Sequence, residues 1–477
     1  MRVVEGYIVT YTYLIVVFVV SYYVSKKSHN NELSRNIIHI CAGLGWNIFK
    51  LFFPASIHSI IISATFVLLT LFTEIKKVRF VEREDGDHGT IYYTLAMLVM
   101  SVLGYKNELF FDIFGISIMS LSCGDAAANI LGSRYGKRKI YGEKSLEGSI
   151  GCFVTTFVVI WISSQIYHID LSMSGIMFLA ILCPLTELFS GNYDNIAIST
   201  VMYYFSYILL TDGITLTLGV SILVGAGMSI FAYMLKLLTK PAIYMLFYLI
   251  TILVYFGSLR AFLALMLVFL ILIMEEKIFG DKTEKITKDI NKEIGTRNEI
   301  QLVSNCGVAI IAISLYGITS NEAFLIGFFA AIAEAIGDSV ASDIGVLSES
   351  EPIDICTFRK IQKGMSGGIS ALGSCMGVMI CVYTALVYMV LYAGAISNVF
   401  VIVVSGLAGI FLDSVLGSRV QVQYVCTECG KYTEKEIHCG KNTRYVRGMT
   451  FFCNSRINLL CNIASCCFAS LIILARG

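Results

Sequence analysis

Long apolar stretches alternate with short polar connections along the whole chain of 477 residues. About 16 of these stretches run for roughly 15 to 25 residues, and about 20 apolar residues are enough to cross a bilayer as a helix. They lie at roughly 7–24, 37–53, 56–73, 91–104, 109–131, 150–167, 174–189, 196–210, 214–235, 241–257, 261–274, 302–318, 322–338, 367–393, 396–412 and 457–474. The pattern predicts an all-α, polytopic transmembrane protein of about 16 spans.

The composition narrows the class of protein further. Hydrophobic residues make up 56% of the chain and charged residues only 14%, and the mean hydropathy is +0.76. This composition excludes an ordinary soluble globular protein. The first span lacks a basic start and a small-residue cleavage site, so we expect an uncleaved anchor. With the N-terminus outside, about 30 of the 35 Lys and Arg residues fall in inner loops, which predicts active sites on the cytoplasmic face.

One apolar segment carries an aspartate, Asp125, and then opens into a basic loop rich in glycine. A carboxylate among small residues can hold a divalent ion, while nearby cations and mobile backbone can hold phosphates. The stretch therefore predicts a phosphate site. Its candidate residues are Asp125 for the metal, and Arg134, Gly136, Lys139, Lys144 and Gly148 for the phosphates.

The same pattern recurs about 210 residues later, where Gly337 and Asp338 precede a second polar loop and a glycine-rich return. The repeat predicts two degenerate, related halves. Its candidate residues are Asp338 for the metal, and Lys363, Gly364, Gly367 and Gly368 for the phosphates.

Other acids lie inside or at the ends of apolar segments, where an isolated charge is costly. Glu187 and Asp194 could complete a metal shell with Asp125, although Asp194 with Asn195 also fits a helix N-cap. Glu334 lies one helical turn before Asp338, so both carboxylates can reach one ion. Asp413 occupies, in the second half, the position that Glu187 and Asp194 hold in the first.

Several polar residues share helix faces near these acids. Arg35 and His39 are four residues apart at a helix entry, where a snorkelling arginine and a hydrogen-bonded histidine are the alternative. In the second half the polar faces predict contacts with substrate or with other site residues. They are formed by Arg297, Asn298, Gln301, Asn305, Asn454 and Asn458.

Cys426, Cys429, His438 and Cys439 supply four potential zinc ligands in one polar loop, and the first pair has knuckle spacing. A bound Zn²⁺ would be structural. Reduced, unliganded cysteines are the alternative. Most of the 15 cysteines in the chain are expected to be reduced packing residues.

Residues 1–212 resemble the phytol and dolichol kinase family of CTP-dependent polyprenol kinases. The motifs that match are Arg35 and His39, HGTIYY, GDAAANILGSRYGKRKIYGEKSLEGS, and Glu187 with Asp194 and Asn195. These kinases are in turn similar to phosphatidate cytidylyltransferases, whose fold we expect in both halves.

Residues 213–477 resemble the phytyl-phosphate kinase family of membrane proteins. The motifs that match are RNEIQLVSN, EAIGDSVASDIG, GMSGGISALGS, GIFLDSVLGS and the final asparagine face. The chain departs from that family at Cys453, where an Asp is usual, and at Ser339, where a Thr is usual.

Together the resemblances imply a bifunctional enzyme. The first half would transfer a phosphate from CTP to an isoprenoid alcohol, and the second would convert the isoprenyl monophosphate to the diphosphate. The resemblances imply Mg²⁺ as cofactor, held by Asp125, Glu187 and Asp194 in one half and by Glu334, Asp338 and Asp413 in the other. His39 and Asp194 are the candidate bases for the alcohol. The expected partners are these lipids, CTP and the bilayer, without nucleic acid, and the sequence leaves open whether the chain forms a homodimer.

Two other functions fit parts of this pattern. A cytidylyltransferase would make a CDP-activated lipid from CTP and a lipid phosphate with similar loops. A secondary transporter also has repeated halves and acids inside the membrane. Transporter sites lie near the bilayer midplane, whereas the acids here cluster beside basic loops, so the sequence favours the kinase.

Overall fold

The computed structural model describes residues 2–28, 31–76, 89–287 and 296–476. The chain divides into two compact units, Met1–Leu216 and Thr217–Gly477. The assignment of residues 1–212 to a polyprenol kinase-like domain and of residues 213–477 to a phytyl-phosphate kinase-like domain stays a prediction.

Helices make up most of the first unit, and a π-helical turn, Ser120–Asp125, interrupts one of them. A short strand pair joins two of the helices. The helices are α1 (Arg2–Ser28), α2 (Asn31–Leu44), α3 (Trp46–Phe52), α4 (Ile57–Ile75), α5 (Gly89–Leu103), α6 (Glu108–Met119), α7 (Ala126–Tyr135), α8 (Leu146–Tyr167), α9 (Met173–Phe189) and α10 (Asp194–Thr211). The strands are β1 (Lys139–Tyr141) and β2 (Lys144–Ser145).

The second unit also consists mainly of helices. They are α11 (Leu216–Met234), α12 (Lys240–Thr287), α13 (Glu299–Thr319), α14 (Glu322–Gly345), α15 (Ala371–Tyr392), α16 (Ile396–Arg419) and α17 (Asn454–Leu474). Short strands lie in its polar loops, namely β3 (Ile353–Asp354), β4 (Gly368–Ile369), β5 (Gln423–Val425), β6 (Tyr432–Thr433), β7 (Ile437–His438), β8 (Lys441–Asn442) and β9 (Arg444–Arg447). The antiparallel pairings are β3–β4, β5–β6, β5–β9 and β7–β8. The fold is therefore mostly helical rather than all-α.

The prediction of a polytopic helical membrane protein is confirmed, but the number of spans was wrong. Among the described residues, 11 helices are long and apolar enough to cross a membrane, instead of about 16. The helices Gly89–Leu103 and Met173–Phe189 are also apolar but shorter, with 15 and 17 residues. The apolar stretch 37–53 breaks at Gly45 into α2 and α3. Apolar content alone overcounted the spans because it registers neither these breaks nor the helix lengths.

Two further points concern the local chain. The stretches 241–257 and 261–274 both lie in α12, which consists of two helices separated by a kink at Ser258, where the dihedral angles, φ 63° and ψ 178°, are non-helical. The stretch 196–210 lies in α10, which starts with Asp194 and Asn195 and is not among the candidate spans of the described chain. The prediction that both sites face the cytoplasm assumed about 16 alternating spans, and it stays a prediction.

The helix that carries the Gly-Asp motif is the most buried candidate span in each unit. In the most apolar 18-residue segment of both Glu108–Tyr135 and Glu322–Gly345, 83% of the residues are buried. The corresponding share is 17–39% in the other candidate spans of the described chain. In the second unit α15, α16 and α17 pack around α14. In the first unit α8, α9 and α10 contact the π-helical turn. The packing therefore buries Asp125 and partly buries Asp338 within a helix cluster.

Candidate functional site

Lys144 is the common neighbour of three acids in the first unit. Its ammonium donates to the Glu187 carboxylate in an ion pair and also interacts electrostatically with Asp125 and Asp194. Burial alone would lower the pKa of Lys144, but the three carboxylates, Glu187 first, raise it above its usual value. The structure therefore brings four of the predicted site residues together from separate segments.

Asp125 is the last residue of the π-helical turn Ser120–Asp125. Such turns are rare and frequently occur at functional sites. Asp125 is 4% exposed, and its Oδ2 accepts a hydrogen bond of 3.1 Å from Asn129 Nδ2. An i, i+4 partner thus orients a buried carboxylate at the point where the helix geometry changes.

His39 connects Asp125 with the beginning of α10. Its Nε2 lies 3.1 Å from Asn195 Oδ1, and its Nδ1 lies 3.9 Å from Asp125 Oδ2. Asn195 Nδ2 donates to the Gly89 carbonyl at 3.0 Å, which leaves its Oδ1 to accept from His39. This pairing assigns the proton to Nε2 and directs Nδ1 to the acidic group. Asp194 is 4% exposed, and its Oδ1 accepts from the Asn195 N–H at 2.8 Å.

Two residues of the HGTIYY motif line the same region. The Gly89 carbonyl accepts from Asn195, as described above. The centre of the Tyr93 ring lies 4.4 Å from the centre of the His39 ring, and the Tyr93 hydroxyl lies 2.8 Å from Ser122 Oγ. His88 lies outside the described residues. Arg35 precedes His39 by one helical turn on α2 and is half-buried.

The remaining predicted cations of the first unit are exposed. The Arg134 guanidinium lies 5.5 Å from the centre of the Tyr135 ring, and Lys139 Nζ lies 3.4 Å from Glu143 Oε2. The loop between them is held by the Glu147 carboxylate, which accepts from the backbone N–H groups of 137 and 138 at 3.2 and 3.3 Å. Arg134 and Lys139 are thus placed on the loop surface, and phosphate binding by either stays a prediction.

Gly136 and Gly148 have close-packing roles in the structure. The Gly136 N–H donates to the Gly132 carbonyl at 3.0 Å, and the Gly148 N–H donates to Ser145 Oγ at 3.2 Å. A Cβ at Gly148 would lie 2.8 Å from the Ala128 carbonyl oxygen. Both N–H groups therefore have partners within the fold, and their predicted contact with phosphates is untested.

Three carboxylates form the acidic group of the second unit. Glu334 and Asp338 lie one turn apart on α14, and Asp413 approaches from α16. Each interacts unfavourably with at least one of the others. Asn462 Nδ2 donates to Glu334 Oε2 at 2.7 Å, whereas Asp413 Oδ2 is buried and has no hydrogen-bond partner among the described residues. Like charges in a buried group favour a cation between them.

The glycine-rich return of the second unit is anchored at both ends. Lys363 Nζ donates to the Ser348 carbonyl, so its ammonium is engaged within the loop. Gly364 and Gly367 both have φ of +85°, a conformation that favours glycine. A Cβ at Gly367 would lie 2.5 Å from the Ser418 backbone nitrogen. Gly368 begins the short strand β4.

The predicted polar faces of the second unit divide into a capping motif and a pair of amides. Asn298 caps α13, and Asn298 and Gln301 each accept the other's backbone N–H at 3.0 Å in a capping box. Asn458 Nδ2 donates to Asn305 Oδ1 at 3.4 Å. The Arg297 carbonyl accepts from the 239 N–H at 3.1 Å, and Asn454 is exposed at the start of α17.

The four predicted zinc ligands converge. The ligand atoms of Cys426, Cys429, His438 and Cys439 all lie within 4.8 Å of one another. Within the described chain, no other group of three or more His, Cys, Asp or Glu residues has this spacing. The acids of the two predicted Mg²⁺ sites are therefore more widely spaced than a complete metal shell. Mg²⁺ usually takes only one or two carboxylates together with water and substrate phosphates.

The sequence repeat is also a repeat of local packing. A Cβ at Gly148 would meet Ala128 O, Gly132 Cα and Ser145 Oγ at 2.8, 3.2 and 3.3 Å. A Cβ at Gly373 would meet Ala341 O, Gly345 Cα and Ser370 Oγ at 2.6, 3.2 and 3.2 Å. The alanine and the glycine lie three and seven residues after the motif aspartate in both units. Position 144, which holds the lysine of the first unit, corresponds to Ile369 in the second.

A profile of the integral membrane protein family DUF92 matches residues 223–466, which is more than half of the chain. The chain belongs to the DUF92 family. Protein PGR of Arabidopsis thaliana is 27% identical over 223 residues, which cover 41% of this chain and 76% of PGR.

Similarity also extends to proteins named as isoprenoid kinases. The probable phytol kinase 1 of Glycine max is 32% identical over 180 residues, covering 32% of this chain and 58% of the soybean protein. The dolichol kinase of Schizosaccharomyces pombe is 29% identical over 91 residues, covering 18% of each chain. No solved structure matches this DUF92 protein, so the predicted relation to the phosphatidate cytidylyltransferase fold is untested.

Sequence reasoning missed two residues that organise the sites of this DUF92 protein, Asn129 and Asp354. Asn129 donates to a site carboxylate, as does Asn462 of the predicted asparagine face. Asp354 is 1% exposed and accepts from Ser418 Oγ at 2.9–3.0 Å and from Thr357 N at 2.8 Å. The spacing of Asn129 from Asp125 could have identified the first. Asp354 is far in sequence from Ser418 and Arg447, and the sequence holds no comparable signal for it.

Proposed function

We propose that this DUF92 protein is a membrane-bound isoprenoid kinase. The first unit transfers the γ-phosphoryl group of CTP to an isoprenoid alcohol, and the second phosphorylates the isoprenyl monophosphate to the diphosphate. The observation that carries the proposal is the convergence of Asp125, Glu187 and Asp194 on Lys144. Similarity to proteins named phytol kinase and dolichol kinase supports the substrate class.

The residues of both units suit Mg²⁺. Carboxylate oxygens are the ligands that Mg²⁺ prefers, and the buried Asp413 Oδ2 has no hydrogen-bond partner among the described residues. Asp125 and Asp194 would hold the ion in the first unit, with Glu187 nearby. Asp338, Asp413 and Glu334 would hold it in the second. When bound with the nucleotide, Mg²⁺ neutralises the charge that develops on the phosphoryl oxygens.

In the first unit the hydroxyl oxygen of the alcohol bonds to the γ-phosphorus of CTP as the bond from that phosphorus to the bridging oxygen breaks, and CDP leaves. His39 Nδ1, which faces Asp125, or the Asp194 carboxylate accepts the hydroxyl proton. Lys144 stabilises the negative charge on the phosphates, with Arg134 and Lys139 on the loop surface. Catalysis of this kind depends mainly on positioning and charge stabilisation.

In the second unit the monophosphate oxygen attacks the γ-phosphorus of CTP in the same manner. This substrate already carries negative charge, so it needs no strong base. Asn462 orients Glu334, and the glycine-rich return that follows Lys363 lies beside the end of α16. The lipid tail of either substrate needs only an apolar groove open to the bilayer.

The test uses the full chain in detergent with Mg²⁺, γ-labelled CTP, and geranylgeraniol or phytol. We expect labelled monophosphate and diphosphate from the wild-type protein. Asp125→Asn abolishes the monophosphate but still converts added isoprenyl monophosphate, and Asp338→Asn accumulates the monophosphate. Asp170→Asn and Asp281→Asn, which change exposed acids outside both sites, serve as matched controls and stay active.

Three results would contradict the proposal. Full activity of Asp125→Asn would show that the Asp125 carboxylate is not needed to bind the metal. A wild-type protein that labels the alcohol only once would restrict the function to the first step. Release of pyrophosphate from CTP and a lipid phosphate, without transfer of the γ-label, would establish a cytidylyltransferase instead.

A further inference from the structure

The polar segment between α16 and α17, residues 421–449, is built around the four-residue group Cys426, Cys429, His438 and Cys439; we call it the cysteine loop. Cys429 Sγ and Cys439 Sγ lie 3.6 and 3.2 Å from His438 Nδ1. In a tetrahedral zinc site, bonds of about 2.3 Å to sulfur and about 2.0 Å to nitrogen place these atoms about 3.6 Å apart. The side chains thus have the spacing of a zinc shell.

The backbone of the cysteine loop is shaped to present these ligands. Gly430 directly follows Cys429 with φ +71°, and Gly440 directly follows Cys439 with φ +74°. The Glu428 N–H approaches Cys426 Sγ at 3.4 Å, as a donor to a sulfur ligand does. Each half of the ligand set therefore ends in a tight turn that only glycine adopts easily.

The cysteine loop has too little apolar core to hold this shape alone. Its strands are two to four residues long, and Val422 and Cys426 are its only buried apolar side chains. Small folded segments of this kind usually depend on a disulfide or a metal. None of its cysteines is in a disulfide.

Glu434 connects the cysteine loop to the glycine-rich return. Its Oε1 accepts from Ser366 Oγ and from Gln421 Nε2, each at 2.7 Å. Ser366 lies between Gly364 and Gly367, and Glu434 also interacts electrostatically with Asp413 of the acidic group. The cysteine loop therefore contacts the return that borders the second site.

Arg447 makes a second connection. Its Nη1 lies 3.7 Å from Asp354 Oδ2, and its Nε donates to Gln423 Oε1 at 2.8 Å. Asp354 in turn accepts from Ser418, against which Gly367 packs. Arg447, near the end of the cysteine loop, is thus linked to the return indirectly, through Asp354 and Ser418.

We propose that Cys426, Cys429, His438 and Cys439 bind one Zn²⁺, and that the zinc-ordered loop positions the glycine-rich return 363–368 through Glu434. The ion has no role in bond formation, because its four ligands leave no open position. Glu434 is a positioning residue. This inference does not depend on the proposed kinase function, since metal content and backbone protection report on it directly.

The first experiment measures zinc in the full chain, purified in detergent. We expect about one zinc per wild-type chain and almost none in Cys429→Ser or Cys439→Ser. Cys375→Ser, which changes an exposed cysteine on α15, is the matched control and keeps the metal. Replacement by Co²⁺ should give the thiolate-to-metal absorption of a tetrahedral site. A wild-type chain that holds no zinc and takes none up after Zn²⁺ is added would overturn the assignment.

The second experiment measures hydrogen exchange of peptides covering 421–449 and 363–368. Removal of zinc from the wild-type protein by a chelator should increase exchange in both segments. Glu434→Ala should increase exchange in 363–368 while zinc is retained. Glu434→Gln should restore protection, because its amide oxygen can accept the same two hydrogen bonds. Unchanged exchange in 363–368 after chelation, or in Glu434→Ala, would overturn the positioning role even if zinc is present.

Discussion

The ammonium of Lys144 and the carboxylate of Glu187 form an ion pair that is largely withdrawn from solvent, with side chains 31% and 2% exposed. The two residues lie 43 positions apart, one in β2 and the other in the last turn of α9. Neither side chain is paired and shielded from solvent in this way unless the helices of the first unit are packed together. The ion pair therefore forms only in the folded first unit, and its two charges belong to the candidate site.

Lys144→Met should destabilise the first unit and abolish phosphorylation of the alcohol. It leaves the Glu187 charge buried without its cation, which costs about 1–3 kcal/mol after allowance for the exposed third of Lys144. The measurements are thermal unfolding in detergent and labelled-lipid synthesis. The double variant Lys144→Met/Glu187→Met should recover stability, since no unpaired charge remains, but not activity. Recovery of activity as well would show that Lys144 serves only the fold.

The stabilisation from this pair should be constant between about pH 6 and pH 9. Because the folded-state pKa of Lys144 is raised above its unfolded value of about 10.4, the contribution is complete below that value and is lost as the pH rises through the folded pKa. The measurement is the difference in unfolding temperature between wild type and Lys144→Met across this range. A difference that disappears near pH 8 would contradict the pairing.

Asp354→Asn should loosen the second unit by about 1–3 kcal/mol, because the buried carboxylate accepts from Ser418 and Thr357 and faces Arg447. Burial alone would raise the pKa of Asp354, but the hydrogen bonds from these groups lower it overall. The stabilisation is therefore present above the unfolded pKa of about 3.9 and is lost as the pH falls through the folded pKa.

The check on Asp354 compares unfolding of Asp354→Asn and wild type at pH 7 and at pH 3. We expect a clear difference at the higher pH that shrinks at the lower one. Asp281→Asn, which changes an exposed acid, is the control. A difference that is equal at both values would mean that the charge of Asp354 is irrelevant.

Gly148→Ala and Gly373→Ala should each destabilise their own unit by about 1–3 kcal/mol, because the new methyl group would lie 2.8 or 2.6 Å from a backbone carbonyl oxygen. Gly227→Ala in α11 meets no atom within 4 Å and is the matched control. Helix propensity makes that change neutral or slightly stabilising, by up to about 1 kcal/mol. The measurement is the unfolding temperature of each of the three variants. If Gly227→Ala were destabilised as much as the other two variants, the contact with the carbonyl oxygen would not be the cause.

The candidate site of the first unit was largely accessible to sequence reasoning. Asp125, Glu187, Asp194 and Lys144 were predicted from acids in apolar segments and from a basic loop, and the structure brings them together. Their roles toward metal and phosphate stay predictions. The roles of Asn298 and Gln301 were harder to anticipate, because a capping box and a substrate-facing helix end have the same polar spacing.

The sequence by itself determined that the chain crosses a membrane as helices, that its Gly-Asp segments repeat, and that four metal-type ligands share one loop. Hydropathy, repeat spacing and ligand spacing are local properties, so they can be read without coordinates. Only the tertiary structure decided the number of long apolar helices, the encounter of Lys144 with Glu187, and the contact of Glu434 with Ser366. These depend on where helices break and how they pack, and residues 43 and 68 positions apart meet only after that packing is complete.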